Sequence, residues 1–236
     1  MFRQVCSYAS VLTVIEGSSS YAATAASIIR YSGGPVSSIH IQLISHLVAT
    51  NKQIHFFEVG TFTGLVPLVL ADIYPSLKIT TVDVPMDDPR NSYQYANSPT
   101  VVESINRGRS MINSLCNAKL ILQSSQLLWK IIDTVPLIDI AWIDGDHTGL
   151  APYNDILFAL MRLNSGGVVL CDDVYLNQPD DPTILAIKQI AKDISLDIIA
   201  IQKRENDPHK FICCITRSHD MNSDIKARVE CLSAKI

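Results

Sequence analysis

Residues 54–83 constrain this chain more than any other stretch, because they read strand, glycine turn, helix, strand, acid. Ile54-His55-Phe56-Phe57-Glu58-Val59 is an apolar run that stops at Gly60, and Gly60-Thr61-Phe62-Thr63-Gly64 leads into the apolar segment Leu65–Ile73. Lys78-Ile79-Thr80-Thr81-Val82 reads as a second strand that carries Asp83 at its carboxyl end. This order predicts a βαβ unit. Its glycines let the backbone approach a ligand, and the helix N-terminus favours negative charge. An acid at the tip of the next strand accepts hydrogen bonds from both hydroxyls of a ribose. The expected ligand is a nucleoside-containing cofactor across the strand tips; the plain alternative is a βαβ unit whose glycines only make a tight turn.

The spacing narrows the ligand. A dinucleotide fingerprint needs G-x-G-x-x-G, whose glycines make room for a pyrophosphate. Here the pattern is G-x-x-x-G, with Phe62 where the second glycine would stand, which counts against a nicotinamide dehydrogenase. At 236 residues the chain can bury a full core as one domain, and 47% apolar against 18% charged residues is a globular balance. A formal net charge of −4 gives no basic footprint for nucleic acid or an anionic membrane, and no apolar run reaches the length that crosses a bilayer. The six cysteines show no C-x-x-C spacing, and three lie in apolar strand-like runs, where free cysteine is a small core residue. Residues 5–15 end at Glu16 without a convincing cleavage site for a secretion signal, so a reduced, cytoplasmic protein is expected.

Strand-like and helix-like segments alternate along the rest of the chain. Residues 37–49 read as a helix ahead of the first strand, and Ser37 and Ser38 there suit either a cofactor contact or a helix cap. Residues 85–100, rich in Pro, Asn, Asp and Tyr, read as a long loop in which Tyr93 and Tyr95 would form a lid. Val101, Ile105, Ile112 and Leu115 share a helix face. Strands are expected at 119–122, 137–143 and 168–171, with Trp142 packed inside the second. Between the last two, Tyr153, Ile156, Leu157, Leu160 and Met161 mark a helix ended by Gly166-Gly167. Ile184, Ile187, Ile190 and Ile194 mark another, and strands at 197–201 and 210–215 flank a charged loop at 202–209. Seven strands with near-continuous apolar middles predict an α/β fold on a mostly parallel sheet. Residues 1–34 show no assignable pattern and stand as an extension, a cap or a dimer contact, ahead of a domain at 35–236.

A second constellation falls at the later strand tips. Asp144-Gly145-Asp146-His147 ends one strand and Asp172-Asp173 the next, with Tyr175 in the following loop. In an open α/β sheet ligands bind outside the carboxyl ends of strands, so these acids should share the crevice of Gly60 and Asp83. Converging carboxylates repel unless a cation neutralises them, and oxygen donors without cysteine suit Mg²⁺. Loop acids also serve as turn formers and helix caps.

Phe56-Phe57-Glu58-Val59-Gly60-Thr61-Phe62-Thr63-Gly64 resembles the first motif of class I S-adenosylmethionine-dependent methyltransferases, most of all the small O-methyltransferase branch. Ala141-Trp142-Ile143-Asp144-Gly145-Asp146-His147, with Leu163-Asn164-Ser165-Gly166-Gly167-Val168-Val169-Leu170-Cys171-Asp172-Asp173-Val174, looks like the cation-dependent O-methyltransferases acting on catechols, caffeoyl-coenzyme A and macrolide sugars. The resemblance spans about residues 35–215. It implies a Rossmann-like class I methyltransferase fold, helices on both faces, whose last strand inserts antiparallel. It implies that Glu58 and the loop Gly60, Thr61, Phe62, Thr63 and Gly64 line the methionine moiety, and that Asp83 holds the ribose. Ser124 and Ser125, in Gln123-Ser124-Ser125-Gln126, would border the adenine. Asp144, beside the cofactor, would hold a divalent cation with Asp172 and Asp173, and His147 takes the place of the base. The family is often dimeric, so a homodimer is a further implication. The loop at 85–100 carries no recognised subfamily signature and leaves the acceptor open.

The chemistry agrees with these parts. Transfer of a methyl group from a sulfonium is an in-line displacement, so alignment of oxygen, carbon and sulfur is the main requirement. Mg²⁺ can chelate neighbouring substrate oxygens as a Lewis acid, and a histidine of ordinary pKa ~6.5 can take the hydroxyl proton. His147 could instead only orient Asp144 or a water. The expected function is S-adenosylmethionine- and Mg²⁺-dependent O-methylation of a small molecule bearing a hydroxyl, such as a sugar, phenol or natural-product scaffold. A non-catalytic S-adenosylmethionine-binding protein and a metal-dependent hydroxylase or hydrolase on the same scaffold are the alternatives.

Overall fold

All seven expected strands form, and an eighth joins them at one edge. The computed structural model describes residues 2–34, 36, 38–50, 54–89 and 98–218. Ser37, Tyr93 and Tyr95 lie outside the described residues. In chain order the elements are β1 (Gln4–Cys6), α1 (Tyr8–Glu16), α2 (Tyr21–Ser32), α3 (His40–Ala49), β2 (His55–Val59), α4 (Leu65–Ile73), β3 (Lys78–Asp83), α5 (Pro99–Asn113), β4 (Ala118–Leu122), a 3₁₀ segment (Ser125–Thr134), β5 (Ile138–Ile143), α6 (Ala151–Arg162), β6 (Leu163–Tyr175), α7 (Pro182–Ile190), β7 (Leu196–Arg204) and β8 (Asp207–Arg217). The sheet order is β1-β7-β8-β6-β5-β2-β3-β4. Every neighbouring pair is parallel except β6–β8 and β7–β8, so β8 is the antiparallel insertion.

Strand alternation divides the core between the two faces of the sheet. Phe56 joins α1–α4 residues such as Val11, Ile28, Leu43 and Leu70 in one cluster, while Phe57 and Val59 join Ile156, Phe158 and Ile187 of α6 and α7 in the other. β2 is buried along its whole length, which explains why it reads as an apolar run without alternation. α4 is apolar on nearly every side because Val66 through Ala71 are all buried, and Pro67 is tolerated in its first turn.

Four features differ from expectation. Among the described residues the sheet has eight strands, because Gln4–Cys6 pairs with β7; three residues are too few to show a period. Cys6, Val11, Ile15 and Ile28 are buried in the same cluster as Ile41 and Phe56, so much of residues 1–34 is built into one face of the core. β7 and β8 run through the expected charged loop, with Gln202 paired to Phe211 and Arg204 to Asp207 across a two-residue turn. In addition α6 stops at Arg162, and Gly166, at φ +77°, lies inside β6. No helix among the described residues is long and apolar enough to cross a membrane.

Candidate functional site

The glycine loop is pinned between the tips of three parallel strands. Gly60 sits at φ +96°, and a Cβ added there would lie 2.0 Å from the Asp144 carbonyl oxygen. No residue but glycine fits so close an approach. The Gly60 N–H donates to Val82 O at 2.9 Å, and the Asp144 N–H donates to Val59 O at 2.9 Å. Beneath the loop Thr81 Oγ1 donates to Glu58 Oε2 at 2.5 Å and lies 2.5 Å from Thr61 Oγ1. Glu58 and Thr61 are both buried, so this chain of three side chains ties the loop to β2 and β3. Thr63 and Gly64 complete the loop at the start of α4.

Asp83, at the tip of β3, faces the same loop. Its Oδ2 accepts from the Phe62 N–H at 2.8 Å and forms an ion pair with the Arg109 guanidinium at 2.9 Å, and its Oδ1 accepts from the Val84 N–H at 2.8 Å. Phe62 is held at φ +48° with its ring exposed; a bulky residue there is uncommon and marks a constrained loop. Arg109 comes from α5, which approaches because Gly108 has no side chain: a Cβ there would lie 1.9 Å from Thr63 O. The Gln123 N–H donates to Asp83 O at 2.8 Å and sets Ser124 and Ser125 beside this tip.

Burial pushes the Glu58 carboxyl well above the usual range, the charges of Asp144 and Asp83 add to the rise, and the Thr81 hydroxyl opposes it. The folded protein therefore keeps a proton on Glu58 that the unfolded chain has already released, so stability falls as pH rises above the ordinary glutamate range. Thermal melts of the native chain and Glu58→Gln should agree at acid pH and diverge in favour of the variant toward pH 8. Parallel curves would show that Glu58 titrates normally.

The second half of the site lies on β5 and β6. Asp144 follows β5, and its Oδ1 lies 3.3 Å from His147 Nε2. Asp146 instead accepts from the Thr148 N–H at 2.9 Å and hydroxyl at 2.6 Å, which makes it a turn former. In β6 the register with β8 shifts between Cys171 and Val174, inserting one extra residue. That bulge turns Asp172 and Asp173 out of the ladder, with Asp173 at φ +52°. Asp144, His147 and Asp173 offer ligating atoms within 4.8 Å of one another.

The acid pair is already engaged. Lys203 Nζ donates to Asp172 Oδ2 at 2.5 Å and to Asp173 Oδ1 at 2.7 Å, and Lys210 Nζ lies 2.6 Å from Asp173 Oδ2. Burial and the charge of Asp144 push the Asp172 carboxyl up, against the pull of Lys203. Burial acts the same way on Asp173, but Lys203 and then Lys210 hold it down at about 2. For His147, burial lowers the pKa, yet the hydrogen bond and charge of Asp144, with Asp173 and Asp172 behind it, leave it raised.

These residues fit the two expected ligands unequally. The Gly60 cradle and the Asp83 tip fit a nucleoside cofactor. A divalent ion held by Asp144, Asp172 and Asp173 fits poorly, because both oxygens of Asp173 and one of Asp172 lie against ammonium groups.

Four residues at the site escaped the sequence reading: Arg109, Lys203, Lys210 and His40. The His40 ring stacks on Trp142 at 5.4 Å, its Nδ1 lies 2.6 Å from Ser38 Oγ, and burial first, then Lys203, lowers its pKa to about 4. Lys203 left a signal, since it continues the alternation of Ile199 and Ile201 on one face of β7. Tyr153 packs against the core, and Tyr175 lies under Lys210, 5.9 Å from Nζ to ring centre.

A family model described as a methyltransferase domain matches residues 57–174, half of the chain. No curated protein matches the sequence. Among solved structures, the O-methyltransferase from Bacillus cereus in complex with SAH is 15% identical with a TM-score of 0.56, over 89% of this chain and 91% of its own. Cofactor-bound Rv0187 from MTB is 16% identical with a TM-score of 0.56, over 87% and 92%. Fibrillarin from Aeropyrum pernix, with natively bound S-adenosyl-L-methionine, is 16% identical with a TM-score of 0.52, over 70% and 67%. At these identities the likeness is one of fold.

Proposed function

Since this chain belongs to the methyltransferase-domain family, we propose that it transfers the methyl group of S-adenosylmethionine to a hydroxyl oxygen of a small molecule, with His147 as the base. The observation that carries this reading is that Asp144 serves both halves of the site. Its carbonyl oxygen abuts Gly60 in the cofactor loop, and its carboxylate lies on His147. A cofactor seated on the loop and a proton acceptor beside the methyl acceptor thus share one wall.

Bound S-adenosylmethionine supplies a methyl group on a sulfonium, an electrophile that needs no acid to activate it. The protein's task is alignment and removal of one proton. Asp83 would accept from the ribose hydroxyls on the side of Oδ1, which otherwise meets the Val84 N–H, and Ser124 and Ser125 would border the adenine. In the tautomer that places the Nε2 proton on Asp144, Nδ1 of His147 presents the lone pair that takes the hydroxyl proton. Asp144 then stabilises the imidazolium that forms. The sequence resemblance is nearest to the cation-dependent branch, but no step is assigned to a divalent ion, because Lys203 and Lys210 occupy the acid pair. The solved O-methyltransferase of the same fold supports an oxygen acceptor, and a sugar, phenol or natural-product hydroxyl is the class we assign. All five cysteines among the described residues are free, four of them buried, which supports the cytoplasm as the compartment.

Calorimetric titration with S-adenosylhomocysteine tests the reading. The native chain should bind, and Asp83→Asn should bind about tenfold or more weakly, the scale of a lost hydrogen bond to a charged group. Absence of binding by the native chain would leave the fold without this function.

A further inference from the structure

The lysine pair at the tip of β7 and β8 is the least expected part of the site. β7 reaches Lys203 with its side chain on the same face as Ile199 and Ile201, and only 6% of that side chain is exposed. An ammonium that deep must be paired, and it meets both carboxylates delivered by the β6 bulge. Lys210 approaches from β8, opposite Tyr175 in register, and takes the remaining oxygen of Asp173 at 2.6 Å. Two strands that the hairpin locks together thus place two positive charges against Asp172 and Asp173, with the carboxylate of Asp144 nearby.

We propose that Lys203 and Lys210 are the built-in counter-cations of this acid cluster, standing where the resembled enzymes hold a divalent ion, and that the chain binds no divalent cation there. The inference rests on the methyl-transfer reading of the site. Three carboxylates with no cation would repel one another; two ammonium groups leave only one of those charges unbalanced. A divalent ion entering this space would meet two positive charges at close range. Beyond Asp144 and His147 it would also find few free donors, because both oxygens of Asp173 are held by ammonium groups, whereas Mg²⁺ demands near-octahedral oxygen coordination. Asp172 Oδ1, buried and without a hydrogen-bond partner among the described residues, is a single oxygen. The positive charge that the cation-dependent enzymes borrow from solution is here written into the chain. Lys210, the more exposed of the two at 14%, is the one able to turn that charge toward the oxygen of an acceptor.

The test uses Mn²⁺ as the probe, followed by calorimetry and by its paramagnetic resonance signal, with S-adenosylhomocysteine titrated alongside. The native chain should show no saturable Mn²⁺ binding at millimolar concentration, and excess EDTA should leave its S-adenosylhomocysteine affinity unchanged. Lys203→Met/Lys210→Met should gain a Mn²⁺ site, and adding Asp173→Asn should remove it. Lys210→Met alone lies nearer the rim and keeps the test decisive if the double variant does not fold. Stoichiometric Mn²⁺ binding by the native chain, lost in Asp173→Asn, overturns the inference. So does failure of every folded lysine variant to bind Mn²⁺. Mn²⁺ binding by a native chain that also binds S-adenosylhomocysteine would sink this inference alone, whereas loss of S-adenosylhomocysteine binding sinks the methyl-transfer reading.

Discussion

His147→Ala lowers turnover by roughly 10²–10⁴-fold, the usual contribution of a positioned general base, while leaving S-adenosylhomocysteine affinity unchanged. The two readouts separate because His147 touches Asp144 through its side chain, whereas the cofactor loop touches Asp144 through its carbonyl oxygen. The pH profile gives a second check. Asp144, Asp173 and Asp172 together outweigh burial and raise the His147 pKa above its ordinary value. The base acts only when neutral, so kcat/KM of the native enzyme should climb with pH through an apparent pKa above ~6.5. In His147→Ala that limb should vanish. Turnover that survives the substitution with its pH profile intact would assign the proton to another group. His40, held neutral at the same site, would be the first to examine.

The parts of the site that the sequence made legible are those whose position follows from topology. Gly60, Asp83, Asp144 and the Asp172-Asp173 pair all end apolar runs, and in a parallel sheet every such end lies on one edge. The glycine spacing then separated a methionine-type cofactor from a dinucleotide. Lys203 and Lys210 were hidden for a different reason. Residues 202–209 read as a charged loop because their charges interrupt the apolar pattern of two strands, yet Lys203 among them lies inward, against carboxylates some thirty residues away in the chain, and Lys210 read only as the first residue of the next strand. Arg109 was hidden likewise, on a mostly polar helix whose close approach depends on Gly108. β1 is too short to show a period, and only its pairing with β7 reveals it. Local pattern thus located the strand tips, whereas the electrostatic partners of those tips required the three-dimensional register.

Gly60→Ala should destabilise the protein by about 2–5 kcal/mol and abolish S-adenosylhomocysteine binding. Two costs combine. A left-handed backbone costs a non-glycine residue roughly 1–2 kcal/mol. Forcing a methyl group into a filled space costs a further 1–3 kcal/mol or so, as the surroundings shift. Here the obstacle is backbone, the Asp144 carbonyl 2.0 Å from the new Cβ, and no side-chain rotation can relieve it. β2 and β5 must separate at their tips, or the loop must leave the Val82 carbonyl that accepts from its N–H. Either movement spoils the wall shared by cofactor and base. Gly33→Ala is the matching control: Gly33 has φ +77° at the end of α2, and an added Cβ would meet nothing within 4 Å. It carries the backbone cost without the collision and should lose about 1 kcal/mol with full cofactor binding. For a chain of this size each kcal/mol moves the melting temperature by roughly 2–4 °C, so thermal melts resolve the two variants readily. Equal losses in both would mean that conformation alone, and not the contact with Asp144, demands glycine at position 60. The observation on which the proposed function rests would then lose its force.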